Sequence, residues 1–309
     1  MGHRAGGYWA IDAGGTRTTA LVLDTIRHTR GSVNPASAGA AAEETLVRLL
    51  AEIAADLSGT AVGWFASSAI TMDTAPAAID RLAVLAREQG LPGRLVVSGD
   101  VPPLLLAPPL SGRGVVVVAG TGSACVASAG PDAGPPVVIG GCEYLGSDQG
   151  SAYALGEAGL RAAVRGADGR GRPTTLFAAA EPRELARRLA AEPFPKAAVA
   201  ALAPEVCAAW QAGDAVAGEV VRAGVDELIT GVRAARDAAG LTGTWRAVLN
   251  GGVFRGCPPY AAELSRRIVT ELGAAEPPTV VVDPVAAIYA ALLANDGSPP
   301  KSWAHIRNL

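Results

Sequence analysis

Aromatic side chains are scarce: Phe, Trp and Tyr make up 5% of the 309 residues. Histidine occurs three times and cysteine four times. His3, His28 and His305 are isolated, so a histidine-rich metal cluster is not expected. Cys125, Cys142, Cys207 and Cys257 are far apart and form no CxxC pair, which argues against a zinc site and against a disulfide framework. Neither sign of charge dominates. Lys plus Arg number 26 and Asp plus Glu 29, a net charge of −3, so the broad basic surface that non-specific nucleic-acid binding relies on is missing. No apolar run reaches the roughly 18–20 residues of a membrane span. Residues 1–8 lack an apolar signal core, so a cytoplasmic protein without a membrane partner is expected. What is present is core material: 50% of residues are hydrophobic and 18% charged, which excludes wholesale disorder. At about 150 residues per domain, the length suggests two domains.

Two stretches open in the same way. Residues 8–24 read as an apolar strand, a bend through Gly14-Gly15-Thr16, and a second apolar strand. Residues 114–127 repeat that logic around Gly120-Thr121-Gly122-Ser123. Each opening is followed by alternating helices and strands, which predicts two related α/β domains. Helices are expected over 40–57, 75–89, 151–164, 183–191, 197–212, 214–239, 259–272 and 284–294. Strands are expected over 61–66, 94–98, 245–249 and 279–282. A Pro/Gly/Ser stretch at 109–114 marks the boundary, giving domains 1–111 and 112–309, with helix 284–294 able to pack back on the first. Residues from Gly297 onward read as a tail.

Glycine and threonine bends let backbone N–H groups and hydroxyls approach an anion closely. Gly14, Gly15, Thr16 and Thr18 can hold the outer phosphates of a nucleotide, and Gly120, Thr121, Gly122 and Ser123 can hold them from the other side. Asp12, at the end of the first strand, can hold hydrated Mg²⁺. The alternative is two ordinary tight hairpins. There is no Walker loop, and a strand rather than a helix follows each bend, so the dinucleotide fingerprint is also absent. Asp100 follows the strand 94–98. It can take a proton from a substrate hydroxyl, but local sequence favours a helix cap ahead of Pro102-Pro103. Asp148 lies in a glycine-rich loop that opens a helix. It can bind sugar hydroxyls or, in competition with Ser151, cap that helix. Gly251 and Gly252, after a strand ending in Asn250, would let adenine or ribose lie against backbone.

Taken together, these segments resemble the N-acetylglucosamine kinase group of the BadF/BadG/BcrA/BcrD ATPase family, within the actin, heat-shock-chaperone and sugar-kinase superfamily. The ordered matches are 11–18, 32–37, 120–123, 146–152 and 249–253, and 283–291 is similar to the family's terminal helix. The resemblance implies two actin-like (ribonuclease H-like) α/β domains with a nucleotide cleft between them. ATP and Mg²⁺ would be used, and relatives are often homodimers. It implies that Asp100 is the general base and that Asp148, Asn34 and Gly122 line the sugar site. The chain departs from the family pattern at three places. Ala124 stands where a sugar-binding Asn is usual, Gln149 where a Glu is usual, and Val101-Pro102-Pro103 where small alanines are usual. All three fall on the acceptor side. The expected activity is phosphorylation of a hydroxyl on an amino sugar such as N-acetylglucosamine or glucosamine, or on a sugar-like cyclitol. The alternatives are a non-catalytic sugar or nucleotide sensor and an activator ATPase of the 2-hydroxyacyl-CoA dehydratase type. The activator would bridge an iron–sulfur cluster through cysteines, and only Cys125 and Cys142 lie near the second bend.

Overall fold

Trp9, Ile11 and Ala13 alternate along the first strand, and that period fixes which face of it joins a core. The computed structural model describes residues 7–15 and 17–309. Strand β1 (Gly7–Ala13) pairs antiparallel with β2 (Arg17–Val22), which pairs antiparallel with β3 (Ile26–Gly31). Strands β4 (Ala61–Ser67) and β5 (Gly93–Ser98) then add in parallel on the other side of β1. Trp9, Ile11 and Ala13 join Leu46, Leu49 and Ile53 of helix Ala41–Asp56 and Ile79 and Ala83 of helix Pro76–Glu88 in one core. The helix Pro284–Ala294 packs on β1 as well. Asp283 caps its N-terminus, accepting the Ala286 N–H at 3.3 Å, and also pairs with Arg27.

The second sheet repeats this plan. Strand β6 (Gly114–Ala119) pairs antiparallel with β7 (Ser123–Ser128), and β7 with β8 (Val137–Gly140). Strands β9 (Ala247–Asn250) and β10 (Thr279–Val280) add in parallel beyond β6. The strand orders are β5-β4-β1-β2-β3 and β10-β9-β6-β7-β8, so the two sheets are topologically equivalent. The first sheet carries one strand more, β11 (His305–Asn308), antiparallel on β5. The expected tail therefore ends in a strand: Ile306 lies opposite Val96 and completes an edge that β5 would otherwise leave open.

The chain divides into two compact units. One comprises Met1–Arg113, Gly130–Pro136 and Asp283–Leu309, the other Gly114–Ala129 and Val137–Val282. Residues 130–136, which the expected division at 111/112 placed in the second domain, lie in the first unit, as do 283–309, whose helix 284–294 was expected to be able to pack back on the first domain. The helix expected over 197–212 is two helices, Lys196–Ala200 and Ala203–Gln211. Pro204, in the first turn of the second, has no N–H to continue the first. No described helix is long and apolar enough to cross a membrane.

The longest helix, Ala215–Ala238, packs on β6, β7 and β8 and is capped by Asp214. One Asp214 oxygen accepts the Val216 and Ala217 N–H groups at 2.9 Å, and the other accepts from Thr174 Oγ1 and from the N–H and Oγ1 of Thr175. Burial works against the Asp214 charge, but these donors outweigh it and hold the carboxyl below the usual carboxylate range. Asp214→Ala is expected to cost about 1–2 kcal/mol at neutral pH. Because the folded-state pKa is depressed, that contribution is present above the ordinary carboxylate pKa and is lost as pH falls toward the folded value. Denaturant titrations of the two proteins at pH 7 and in acid check both the loss and its narrowing.

Candidate functional site

In both sheets the glycine-rich segments and carboxylates of interest gather at the carboxyl ends of the parallel strands, the edge where open α/β sheets bind ligands. In the first unit Asp12 stands opposite Ala66 of β4, and Ala66 opposite Ser98 of β5, with Asp100 two residues further on. In the second unit Val118 of β6 stands opposite Asn250 of β9. Gly120 and Gly251 therefore follow side by side.

The first bend is closed by the Gly14 N–H donating to Arg17 O at 3.0 Å. Thr16 lies outside the described residues. Gly15 is exposed, while Thr18 is fully buried, and its hydroxyl accepts the Val33 N–H at 3.2 Å. Ser32 Oγ donates to Gly14 O at 3.1 Å and accepts the Asn34 N–H at 3.1 Å. Thr18 is thus a strut that straps the 32–34 segment to the bend, which sets where Asn34 stands. Ser32, which sequence reasoning passed over, is the second strut. Its only signal was its place two residues before Asn34.

Asp100 is not a cap. The helix Pro102–Leu106 has Val101 at its N-cap position and no side-chain cap bond. Proline at its start leaves fewer N–H groups for a side chain to satisfy. Burial pushes the Asp100 carboxyl above the usual carboxylate range, opposed by its own backbone N–H. A carboxylate held this way is a stronger base than a solvated one.

In the second unit the Asp148 carboxylate lies directly under the second bend. Its Oδ1 accepts the Ser123 N–H at 2.9 Å, and a Cβ on Gly122 would sit 2.5 Å from that oxygen. Ser123 Oγ donates to Gln149 O at 2.7 Å. With its N–H and its hydroxyl both engaged, Ser123 acts on the loop rather than outward to a phosphate. Thr121 is exposed, and Gly120 N–H closes the bend onto Gly122 O at 2.9 Å. Ser151, not Asp148, caps helix Ala152–Ala167, accepting the Ala154 N–H at 3.2 Å. The buried Asp148 Oδ2 lies 2.9 Å from Lys196 Nζ but accepts no aligned hydrogen bond from a described residue. Lys196 also pairs with Glu143 at 2.6 Å. Burial pulls its ammonium pKa down, but the two carboxylates outweigh that and the net direction is up. Sequence reasoning missed Lys196, one of two lysines in the chain.

Gly251 adopts φ +132°, and a Cβ there would lie 2.1 Å from Ala119 O. That close backbone approach seats the Asn250-Gly251-Gly252 segment against the second bend, and Gly252 faces open space. An apolar groove of about 750 Å³ beside helix Pro258–Leu272 is lined by none of the expected site residues. Cys125 is buried with its thiol pushed up to about 12, whereas Cys142 is exposed. Cys125 lies in the core of the second unit.

The fold is that of sugar kinases and their relatives. A candidate N-acetylglucosamine kinase from Chromobacterium violaceum superposes with a TM-score of 0.64 at 20% identity, covering 94% of this chain and 99% of that one. A candidate N-acetylglucosamine kinase from Porphyromonas gingivalis gives 0.66 at 16% identity over the same shares. The ROK hexokinase from Thermus thermophilus gives 0.53 at 18% identity, covering 93% and 98%. No curated protein matches the chain by sequence. The profile of one protein family matches residues 104–294, more than half of the chain, and on that match the chain belongs to the BadF/BadG/BcrA/BcrD ATPase family.

Proposed function

We propose that this protein is an ATP-dependent kinase that phosphorylates a hydroxyl of an amino sugar, such as N-acetylglucosamine or glucosamine, or of a sugar-like cyclitol. The observation that carries the reading is Asp100: a half-buried carboxyl, its pKa raised by desolvation, just past the carboxyl end of β5, that caps no helix. Withdrawing a carboxylate from water costs stability. Membership of an ATPase family supplies the phosphoryl donor.

In this reading Asp100 accepts the proton of the acceptor hydroxyl as that oxygen attacks the γ-phosphorus of ATP. The bond to the β–γ bridging oxygen breaks, and ADP leaves. Backbone groups of Gly14, Gly15, Gly120, Thr121 and Gly122 hold the phosphates. Gly251 and Gly252 make room for the adenosine. Asp12 is a single carboxylate, which suits a Mg²⁺ carried mainly by phosphate oxygens and water. That ion would neutralise charge on the transferring phosphoryl group. Asn34, strapped by Ser32 and Thr18, and Asp148, with one unaligned oxygen, read the acceptor's hydroxyls. Ala124, Gln149 and the prolines after Asp100 tune which acceptor fits. The protein acts in the cytoplasm, as a homodimer.

The reading is tested by coupled ADP release with Mg²⁺ and ATP over a panel of N-acetylglucosamine, glucosamine, glucose, N-acetylmannosamine, kanosamine and cyclitols. Turnover of at least one acceptor is expected. ATP binding with no turnover of any of them would favour the sensor. Asp100→Asn is expected to lower kcat by about 10²–10⁴-fold, the usual contribution of a general base. It should also raise Tm at neutral pH, because it removes a partly desolvated charge whose folded-state pKa is raised. The gain should shrink as pH falls through that pKa. Near wild-type turnover in this variant would remove Asp100 from the chemistry. Gly122→Ala drives a methyl into the Asp148 carboxylate, so ATP affinity should fall at least tenfold by calorimetry, about 1.4 kcal/mol. Unchanged affinity would take the second bend out of the nucleotide site.

A further inference from the structure

We propose that Trp64 and Ser98 are positioning residues for Asp100, acting through a one-directional chain of hydrogen bonds that ends on the Gly99–Asp100 peptide. The proposal rests on the kinase reading for its consequence but not for its geometry. Trp64, on β4, is fully buried, and its indole Nε1 donates to Ser98 Oγ at 2.8 Å. Ser98, the last residue of β5 and 1% exposed, donates in turn to Gly99 O at 2.7 Å. An indole N–H can only donate, so it claims a lone pair of the hydroxyl and leaves the hydroxyl proton for Gly99. The Gly99 carbonyl and the Asp100 N–H belong to one peptide unit. A bond received at the carbonyl polarises that N–H. The same N–H is the group that favours the charged form of the Asp100 carboxyl. Gly99 is itself confined, since a Cβ there would come within 3.2 Å of Ile70 O. The orientation of one peptide plane thus sets where the Asp100 N–H points, and that N–H is what favours the carboxylate.

The bond from Trp64 is not simply what a buried indole requires. Trp9, in the same sheet and equally buried, leaves its Nε1 with no partner among the described residues. Charged groups on the surrounding elements are accounted for. Strand β4 and helix Pro102–Leu106 carry none. On β11 Arg307 pairs with Asp80 at 2.6 Å, and the His305 ring lies 3.2 Å from Thr71 O. Arg94, at the far end of β5, donates to Ser298 Oγ at 2.8 Å. Asp12 stands two strands away, on β1.

The test compares Ser98→Ala, Ser98→Thr and Trp64→Phe in the full chain. Ser98→Ala is expected to lower kcat by about 10–100-fold with KM for ATP nearly unchanged, part of what a general base contributes. Its acid limb in kcat/KM should move to higher pH, because the polarised N–H that favours the carboxylate is weakened. Ser98→Thr keeps the hydroxyl and should restore both readouts, and Trp64→Phe should shift them in the same direction by less. Lost stability with kcat and the acid limb unmoved would overturn the proposal and make the chain purely structural. A second measurement needs no turnover. The pH dependence of the stability difference between wild type and Asp100→Asn reports the Asp100 titration, and the same pair on a Ser98→Thr or Trp64→Phe background reports its coupling. An upward shift for Trp64→Phe with none for Ser98→Thr supports the chain even if no acceptor is ever turned over, and no shift for Trp64→Phe overturns it. Absence of turnover in wild type would defeat the kinase reading alone.

Discussion

The second bend keeps its shape because Gly122 has no side chain. The Asp148 carboxylate fills the space where a Cβ would stand and fastens the Ser123 N–H. The surrounding parts are tied to that contact in turn. Ser123 Oγ reaches Gln149 O, Tyr260 OH donates to Gly150 O at 2.9 Å, and the Ala152 N–H reaches Gly120 O at 2.9 Å. Gly251 then passes the bend at a distance only glycine allows. Three segments far apart in sequence become one rigid surface at the carboxyl edge of β6 and β9. Rigid, pre-set donors are what charge stabilisation in phosphoryl transfer depends on.

The first sheet solves the same problem by other means. Among the described residues, Ser32 and Thr18 strap the following segment to the first bend. Asp100 is left with burial and its own N–H as the main influences on its charge. The duplicated topology therefore carries two different edges, one with a half-buried carboxyl whose pKa is raised and one with a bend fixed over a buried carboxylate.

Much of the architecture was legible in the sequence because its signals are local. Residues 8–24 and 114–127 show apolar alternation interrupted by glycine, and the structure has strands on both sides of each bend. The helix Pro284–Ala294 could be read to the residue from its proline and its apolar run. β11 could not, because His305-Ile306-Arg307-Asn308 carries one apolar residue and becomes a strand only when β5 offers an open edge. The site was legible in its residue types but not in their directions. Thr18 and Ser123 look like phosphate ligands in sequence, yet their hydroxyls face inward to backbone groups. Asp100 looks like a cap because helix starts favour Asp, but the cap position falls one residue later. Lys196 had no motif around it. Its partners Glu143 and Asp148 lie about fifty residues earlier, and only folding reveals the pairing.

The central claim is that the γ-phosphoryl group of ATP passes to a sugar-like hydroxyl. Its most direct measurement is the mass of the acceptor after incubation with Mg²⁺ and ATP carrying ¹⁸O on the γ-phosphoryl group. The account predicts a phosphorylated acceptor that carries the label. Label appearing only in inorganic phosphate, with every acceptor unmodified, would contradict it and leave an ATPase that transfers to water.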